Sequence, residues 1–310
     1  MPRHRVGATP VARGVCIAVA GAAVVATILG ALAVGQEAAA PDTASFPQPS
    51  TTGVPPGWKP TVTYTTALHV TRRGAVVEDV RLINADLVID ADNVTVRRVE
   101  IQSGRIYNEG AFPCHNGLLI EDVTFTRAAD RTTSATDKPA IGIGGYTARR
   151  VKIDGLAEGF RVGGRSNGCG PVTIEDSFAR ITPPEPCDDW HGDGIQAYDG
   201  AELRVRNVTL ELVETKSCAG NAPFFYPHSQ GDQSVTIEGL LVKAGGFPFR
   251  LGMPGTVRGL RIVAGSWGYR PIDVRCSVIR AWEAKVVKAD SNYQIAGEVR
   301  PQPCNSEGGN

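Results

Sequence analysis

The chain has 310 residues, 42% of them hydrophobic, with 32 Lys and Arg set against 32 Asp and Glu, so its formal net charge is zero. That balance argues against a general nucleic-acid binder, which would carry a surplus of basic residues. The length admits two domains, but 6% aromatic residues and plentiful Val, Ile, Leu and Ala suit a single long, thin core.

Residues 1–13 form a basic flank with Arg3, Arg5 and Arg13 and no acidic residue. The segment 14–35 is apolar and Ala-rich, and a basic flank before such a run predicts export, with the flank left in the cytoplasm. At about 20 residues the run fits a signal-peptide core or a signal-anchor helix. Ala31 and Ala33 offer a small-residue cleavage site, whereas Cys16 sits too early for a lipid anchor. The expected location is therefore secreted, or held at the outer face of the membrane if the apolar segment stays uncut. Residues 36–60 hold six prolines among Ser and Thr and read as an extended linker leading into the domain.

From residue 74 to 263 one phrase of about nine residues recurs eight times, as in NVTVRRVEI (93–101), GLLIEDVTF (117–125) and ELRVRNVTL (202–210). Its matching apolar position falls at Val77, Val96, Ile120, Ala148, Ile174, Val205, Ile237 and Val257. Within each copy, apolar and polar residues alternate with period two, which predicts strands with one face inward. A fixed phrase at this spacing predicts a β-solenoid whose repeats are coils. A β-sandwich is the competing fold, but it would seldom repeat one phrase eight times. The expected fold class is all-β: a right-handed parallel β-helix of about eight to ten coils over residues 61–300, with 301–310 a C-terminal tail.

A second short strand follows each phrase: AIGIGG (140–145), EGFRVGG (158–164), DGIQAYDG (193–200), PFFYPHS (223–229), PFRLGMP (248–254) and PIDVR (271–275). Stacked once per coil, Ile141, Phe160, Ile195, Phe224 or Phe225, Phe249 and Ile272 would form an inward ladder. Arg161, Gln196, Tyr226 and Arg250 would then project outward, with Asp273 at the end of the column and Glu158 and Asp193 at matching places before their strands. A register slip of one residue would turn that column inside out.

The segment CDDWHGDGIQAYDG (187–200) gathers the most chemistry, and several uses stay open. Clustered oxygens at Asp188 and Asp189 suit calcium, leaving the cofactor otherwise undetermined. Paired carboxylates such as Asp193 and Glu158 suit glycoside cleavage, and His191 can move a proton near neutral pH. Trp190, Phe224, Phe225 and Tyr226 offer flat faces for sugar rings, with Gln196, His228 and Arg250 as further contacts. The bland alternatives are turn-capping aspartates and a Glu158–Arg161 surface pair of little worth. His69, His115 and the Arg pairs at 72–73, 97–98 and 149–150 read as surface residues.

Outside the export segment six cysteines remain, an even number in an oxidising compartment, and six allow fifteen pairings. Neighbouring coils favour Cys187–Cys218 and Cys276–Cys304, leaving Cys114–Cys169. The absence of any C-x-x-C spacing argues against zinc.

FPQPSTTGVPPGW (46–58), AEGFRVGG (157–164) and HGDGIQ (191–196) resemble segments of the bacterial exported β-helix proteins of the pectin-lyase-like superfamily, as do DNVTVRRVEI (92–101) and GPVTIEDSFA (170–179). The resemblance covers about residues 46–300. It implies a parallel β-helix acting on acidic polysaccharides. In a lyase, Arg161 or Arg250 would neutralise charge or act as base, with His191 and Asp193 assisting. In a hydrolase, Asp193 would work with Glu158 or Asp189. The paired-Asp and Gly-His-Gly pattern of polygalacturonases is not reproduced, and neither are the basic motifs of pectate lyases. The expected function is thus an exported polysaccharide-cleaving protein, with His191, Asp193, Glu158 and Arg161 catalytic. A non-catalytic glycan-binding or adhesion module is the alternative. The expected partner is a polysaccharide, and the expected state a monomer.

Overall fold

The computed structural model describes residues 45–108, 113–129, 138–187 and 190–305. The apolar segment 14–35 and the pair Asp188 and Asp189 lie outside these residues. Among the described residues no helix is long and apolar enough to cross a membrane.

The strands of the described residues form two parallel sheets, one of fifteen strands and one of nine. Each sheet takes strands from successive turns of the chain, so that each pairs with its equivalent in the next turn: a parallel β-helix. One pairing is antiparallel, where Ile295–Pro301 folds back on Ile279–Ala289 and closes the last coil.

The repeated phrase sets the register. Val77, Val96, Ile120, Ala148, Ile174, Val205, Ile237 and Val257 are Cα partners from coil to coil. From Val96 onward all of them are buried. In the nine-stranded sheet, Leu68, Leu87, Ile106, Ile141, Phe160, Ile195, Phe224, Phe249 and Ile272 form the facing inward ladder. The rings of Phe224 and Phe249 stack at 4.7 Å. These two ladders meet in one continuous core, so each coil depends on its neighbours for burial.

Two polar positions of the phrase carry a further pattern. Immediately after the inward residue stand Glu78, Arg97, Glu121, Arg149, Glu175, Arg206, Glu238 and Arg258, register partners that alternate in charge without a break. Arg149 reaches Glu121 at 3.1 Å and Glu175 at 3.0 Å, and Arg206 reaches Glu175 at 3.3 Å. The next position turns the corner between two strands in the left-handed region: Asp79, Arg98, Asp122, Arg150, Asp176 and Asn207 all have φ between 47° and 57°, and glycine takes over at Gly239 and Gly259. A non-glycine residue with positive φ is disfavoured. Here forked contacts hold it, with Arg98 on Asp79 at 2.7 and 2.8 Å and Arg150 on Asp122 at 2.6 and 2.9 Å. The Arg pairs at 97–98 and 149–150 are therefore rungs of two charge ladders rather than simply solvated residues. His69 and His115 also have acidic neighbours, Asp90 at 2.9 Å and Asp92 at 3.7 Å.

Three disulfides join Cys114 to Cys169, Cys187 to Cys218 and Cys276 to Cys304, with Cα atoms 5.0, 5.8 and 5.7 Å apart. Disulfides of this kind belong to an oxidising, extracellular setting.

The charge ladder predicts that Glu175→Lys, which would place three cations on consecutive rungs, lowers the unfolding free energy by roughly 1–2 kcal/mol. Glu175→Gln should lose less. Urea titration at low and high salt checks this, because the Lys penalty should shrink as salt screens the repulsion.

Candidate functional site

The outer face of the nine-stranded sheet carries the candidate site. Outward positions run His69, Val88, Tyr107 and Gly142 in the early coils, then Arg161, Gln196, Phe225, Arg250 and Asp273. The expected register holds, with one correction. Phe225, not Tyr226, occupies the column. Tyr226 lies inside the coil, fully buried, with its hydroxyl donating to the Ala201 carbonyl at 3.2 Å. In PFFYPHS every candidate is aromatic, so alternation of polarity cannot tell inward from outward, whereas pairing of Phe224 with Phe249 does.

Both outward arginines lie on aromatic rings. The Arg161 guanidinium sits 5.3 Å from the Tyr198 ring centre, and Arg250 sits 5.0 Å from Phe225 and 5.4 Å from Phe247. Arg250 also donates from Nε to Asp273 at 2.9 Å and from Nη1 to Asn221 at 3.4 Å. Phe247 meets the exposed Tyr269 ring at 5.5 Å. Backbone bonds from Gly268 and Tyr269 to Gly245 and Gly246 hold that loop in place. Phe247 and Tyr269 were not singled out from sequence because each lies in the loop before its strand, outside the period-two pattern.

Glu158 and Asp193 occupy equivalent places on adjacent coils, as expected, but both are buried, at 5% and 0% exposure. Glu158 accepts a hydrogen bond from Arg161 Nη2. The pair is thus enclosed rather than a solvated surface contact. Asp193 Oδ1 accepts from the Ala222 amide at 3.2 Å while Oδ2 has no partner. Burial first, and the Glu158 carboxylate second, push the Asp193 carboxyl well above the ordinary aspartate range. Asp193 therefore favours its protonated form more than an ordinary aspartate does.

Trp190 is half-buried, donating from Nε1 to the Ala157 carbonyl at 2.8 Å and packing against the core. Its indole covers Gly192, where a Cβ would come within 2.1 Å of the ring, so only glycine fits there. His191 is exposed beside it. Gln196, between Arg161 and Phe225, keeps only 6% exposure. The column is hence largely covered at Arg161 and Gln196 and opens towards Phe225, Arg250 and Asp273. Among the described residues no group of three or more His, Cys, Asp or Glu side chains could hold a metal ion; the calcium expectation at Asp188 and Asp189 lies outside them.

At the open end lies a cleft of about 530 Å³ between the ends of Ala222–Tyr226, Phe249–Leu251 and Ile272–Val274 and the short helical turns His228–Gln230 and Cys276–Val278. His228 and Arg250 line it, as do Ser229, Asp273, Arg275 and Ser277. The loop bearing His228 is fastened beneath by Asp232, whose Oδ1 accepts from the Gly200 amide at 2.7 Å and whose Oδ2 is unpartnered. Burial raises the Asp232 carboxyl to about 7, helped by Asp199 and opposed by that amide bond and Arg165.

Comparison with protein-family models, with curated proteins and with solved structures finds no match.

Asp232 yields a pH prediction. Below about pH 4 the carboxyl is protonated whether the chain is folded or unfolded. Between about 4 and 7 the unfolded chain releases a proton that the native state keeps, so this residue's contribution to stability falls as pH rises. Asp232→Asn should abolish that part of the slope and stabilise the protein at pH 7.5 by on the order of 1–3 kcal/mol, with little effect at pH 4. Denaturant midpoints at the two pH values check it.

Proposed function

We propose that this chain is an exported carbohydrate-active protein of pectin-lyase-like type that holds an acidic polysaccharide along the outer face of its nine-stranded sheet. The observation that carries the reading is the outward column in which Arg161 lies on Tyr198, and Arg250 on Phe225 and Phe247. A guanidinium carries five donors in a planar fork that suits carboxylates, and Arg250 has donors beyond those given to Asp273 and Asn221. Aromatic faces present flat apolar surface to the C–H faces of a sugar ring. Ligand sites are typically concave and aromatic with a few fixed polar groups, a description that the open end of the column meets. Cysteine pairing supports an extracellular setting. Attachment through the apolar segment 14–35 would put the site at the outer membrane face.

Binding ranks above cleavage because Asp193 has no exposed surface. Cleavage is the second reading, favoured by one feature: Glu158 and Asp193 stand at equivalent places on adjacent coils, and burial beside Glu158 raises the Asp193 carboxyl, an arrangement that acid–base chemistry uses. In that reading Asp193 donates a proton, Glu158 and Arg161 flank it, and the surface that buries Asp193 must open to admit substrate.

The binding reading predicts that polygalacturonate is retained on affinity electrophoresis, and less so as salt rises. Phe225→Ala should weaken retention about tenfold, corresponding to about 1.4 kcal/mol. Equal retention of parent and variant, or of neutral and acidic polymers, would overturn it. Cleavage is read separately. Unsaturated ends seen in ultraviolet absorbance indicate a lyase, and new reducing ends without them a hydrolase. An Asp193→Asn protein that cleaves as fast as its parent removes Asp193 from any catalytic role.

A further inference from the structure

Many arginines along the stacked strands have an acidic partner on a neighbouring rung, as Arg97, Arg98, Arg149, Arg150, Arg180 and Arg206 do. Among the described residues Arg275 has none, like Arg72, Arg73 and Arg280 elsewhere on the surface, but unlike them it lines the cleft. It is exposed in the cleft at the end of the nine-stranded sheet, and among the described residues no carboxylate binds its guanidinium. The one carboxylate that lines the cleft, Asp273, is engaged by Arg250 Nε at 2.9 Å, so those two charges offset each other. What remains in the cleft is a cation, Arg275, together with the His228 imidazole and the Ser229 and Ser277 hydroxyls. Among the described residues these side chains have no hydrogen-bond partner either.

The walls are fixed independently of any ligand. Gly252 lets the His228 backbone approach so closely that a Cβ would lie 2.3 Å from the His228 amide nitrogen, and the Gly252 amide donates to the Tyr226 carbonyl at 2.8 Å. On the other side the Arg275 amide donates to Leu251 at 2.9 Å, and Cys276 is bonded to Cys304 in the closing segment. A concave space with fixed walls, an uncompensated guanidinium and several unused donors is built to take an oxyanion.

We propose that this cleft is an oxyanion subsite, held by Arg275 with His228, Ser229 and Ser277, that receives a carboxylate or sulfate group of a glycan lying along the adjoining face. The proposal rests on the reading of that face as a glycan site, and adds a second, separate point of recognition. It assigns charge selection at the open end to Arg275 and stacking to the Phe225, Phe247 and Arg250 cluster.

Calorimetric titration of the full chain with trigalacturonate, a sulfated galactose trisaccharide and neutral galactotriose tests it, with inorganic sulfate as competitor. An acidic trisaccharide should bind at least about tenfold more tightly than the neutral one, a difference of about 1.4 kcal/mol. Preference for trigalacturonate identifies a carboxylate as the natural group, and preference for the sulfated sugar a sulfate ester. Arg275→Gln should erase the difference, whereas Arg275→Lys should keep part of it, since it retains charge without the planar fork. Unchanged thermal midpoints in both variants exclude a folding defect, because Arg275 is exposed and unpaired. If Arg275→Gln binds acidic sugars as the parent does while Phe225→Ala does not, the cleft proposal falls and the face reading stands. If the parent binds inorganic sulfate through Arg275 but no saccharide, the anion site stands while its glycan assignment and the face reading fall. No binding of any probe overturns both.

Discussion

Everything in this structure depends on parallel stacking without slippage. A coil of a β-helix cannot bury its apolar face alone, and it gains a core only when the next coil sets its inward residues directly above. Because side chains alternate along a strand, a shift of one residue would turn the apolar ladder outward and bring the polar column inside. The apolar ladder from Val96 to Val257 opposes such a slip, with every member buried. It does not by itself oppose a slip by one whole coil, since the inward residues of neighbouring coils are much alike. The alternating charges beside it do. Pairing each Glu or Arg with the next coil but one would bring like charges together along the entire ladder. A two-coil period in charge, laid over a one-coil period in hydrophobicity, thus specifies both the face and the partner.

The same constraint explains how an exposed, strained corner can recur in every coil. Left-handed backbone at Arg98 and Arg150 is unfavourable for a residue with a side chain, but the stack sets an aspartate beneath each, and the forked ion pairs offset the strain. Where the partners change to Asn207, Gly239 and Gly259, the corner reverts to residues for which that conformation costs less. Charge pairing on this side also bears on function. On the fifteen-stranded sheet the arginines of the charge ladder are matched to carboxylates, so the ladder itself offers an acidic polymer little uncompensated positive charge. On the nine-stranded sheet Arg161 and Arg250 also meet carboxylates but lie on aromatic rings besides, and Arg275 just beyond its last strand meets none among the described residues.

The fold could be read from the sequence because it is encoded in a period: Val77 and its seven counterparts were aligned by phrase alone, and they are the true register partners. Two disulfides, Cys187–Cys218 and Cys276–Cys304, followed from coil adjacency, and Cys114–Cys169 was the pair that remained. Parts of the site were legible for the same reason, since Arg161, Gln196 and Arg250 inherit their outward direction from Phe160, Ile195 and Phe249. Tyr226 was misplaced because a run of aromatic residues carries no polarity signal. Burial of Glu158 and Asp193 was also invisible, since depth at a coil corner depends on how the loops pack over it rather than on strand alternation. The cleft could not have been found at all. His228, Arg250 and Arg275 come from three coils, and whether Arg275 has an acidic partner is a question that only three-dimensional packing answers.

These features bear on how a solenoid divides recognition from chemistry. Asp193 is sealed, and its surroundings raise its carboxyl well above the ordinary aspartate range; next to it in the chain, the Trp190 indole leaves Gly192 no room for a side chain. The groups open to a ligand lie one, two and three coils further on, at Phe225, Arg250 and Arg275. Neighbouring strands are separated by about 4.8 Å, so two coils correspond to roughly 10 Å, of the order of two sugar units in an extended chain. A polymer gripped at the open end would therefore pass over the Asp193 coil with its next units. Binding at Arg250 and Arg275 places no demand on Asp193, whereas cleavage would require the buried Asp193 carboxyl to be uncovered.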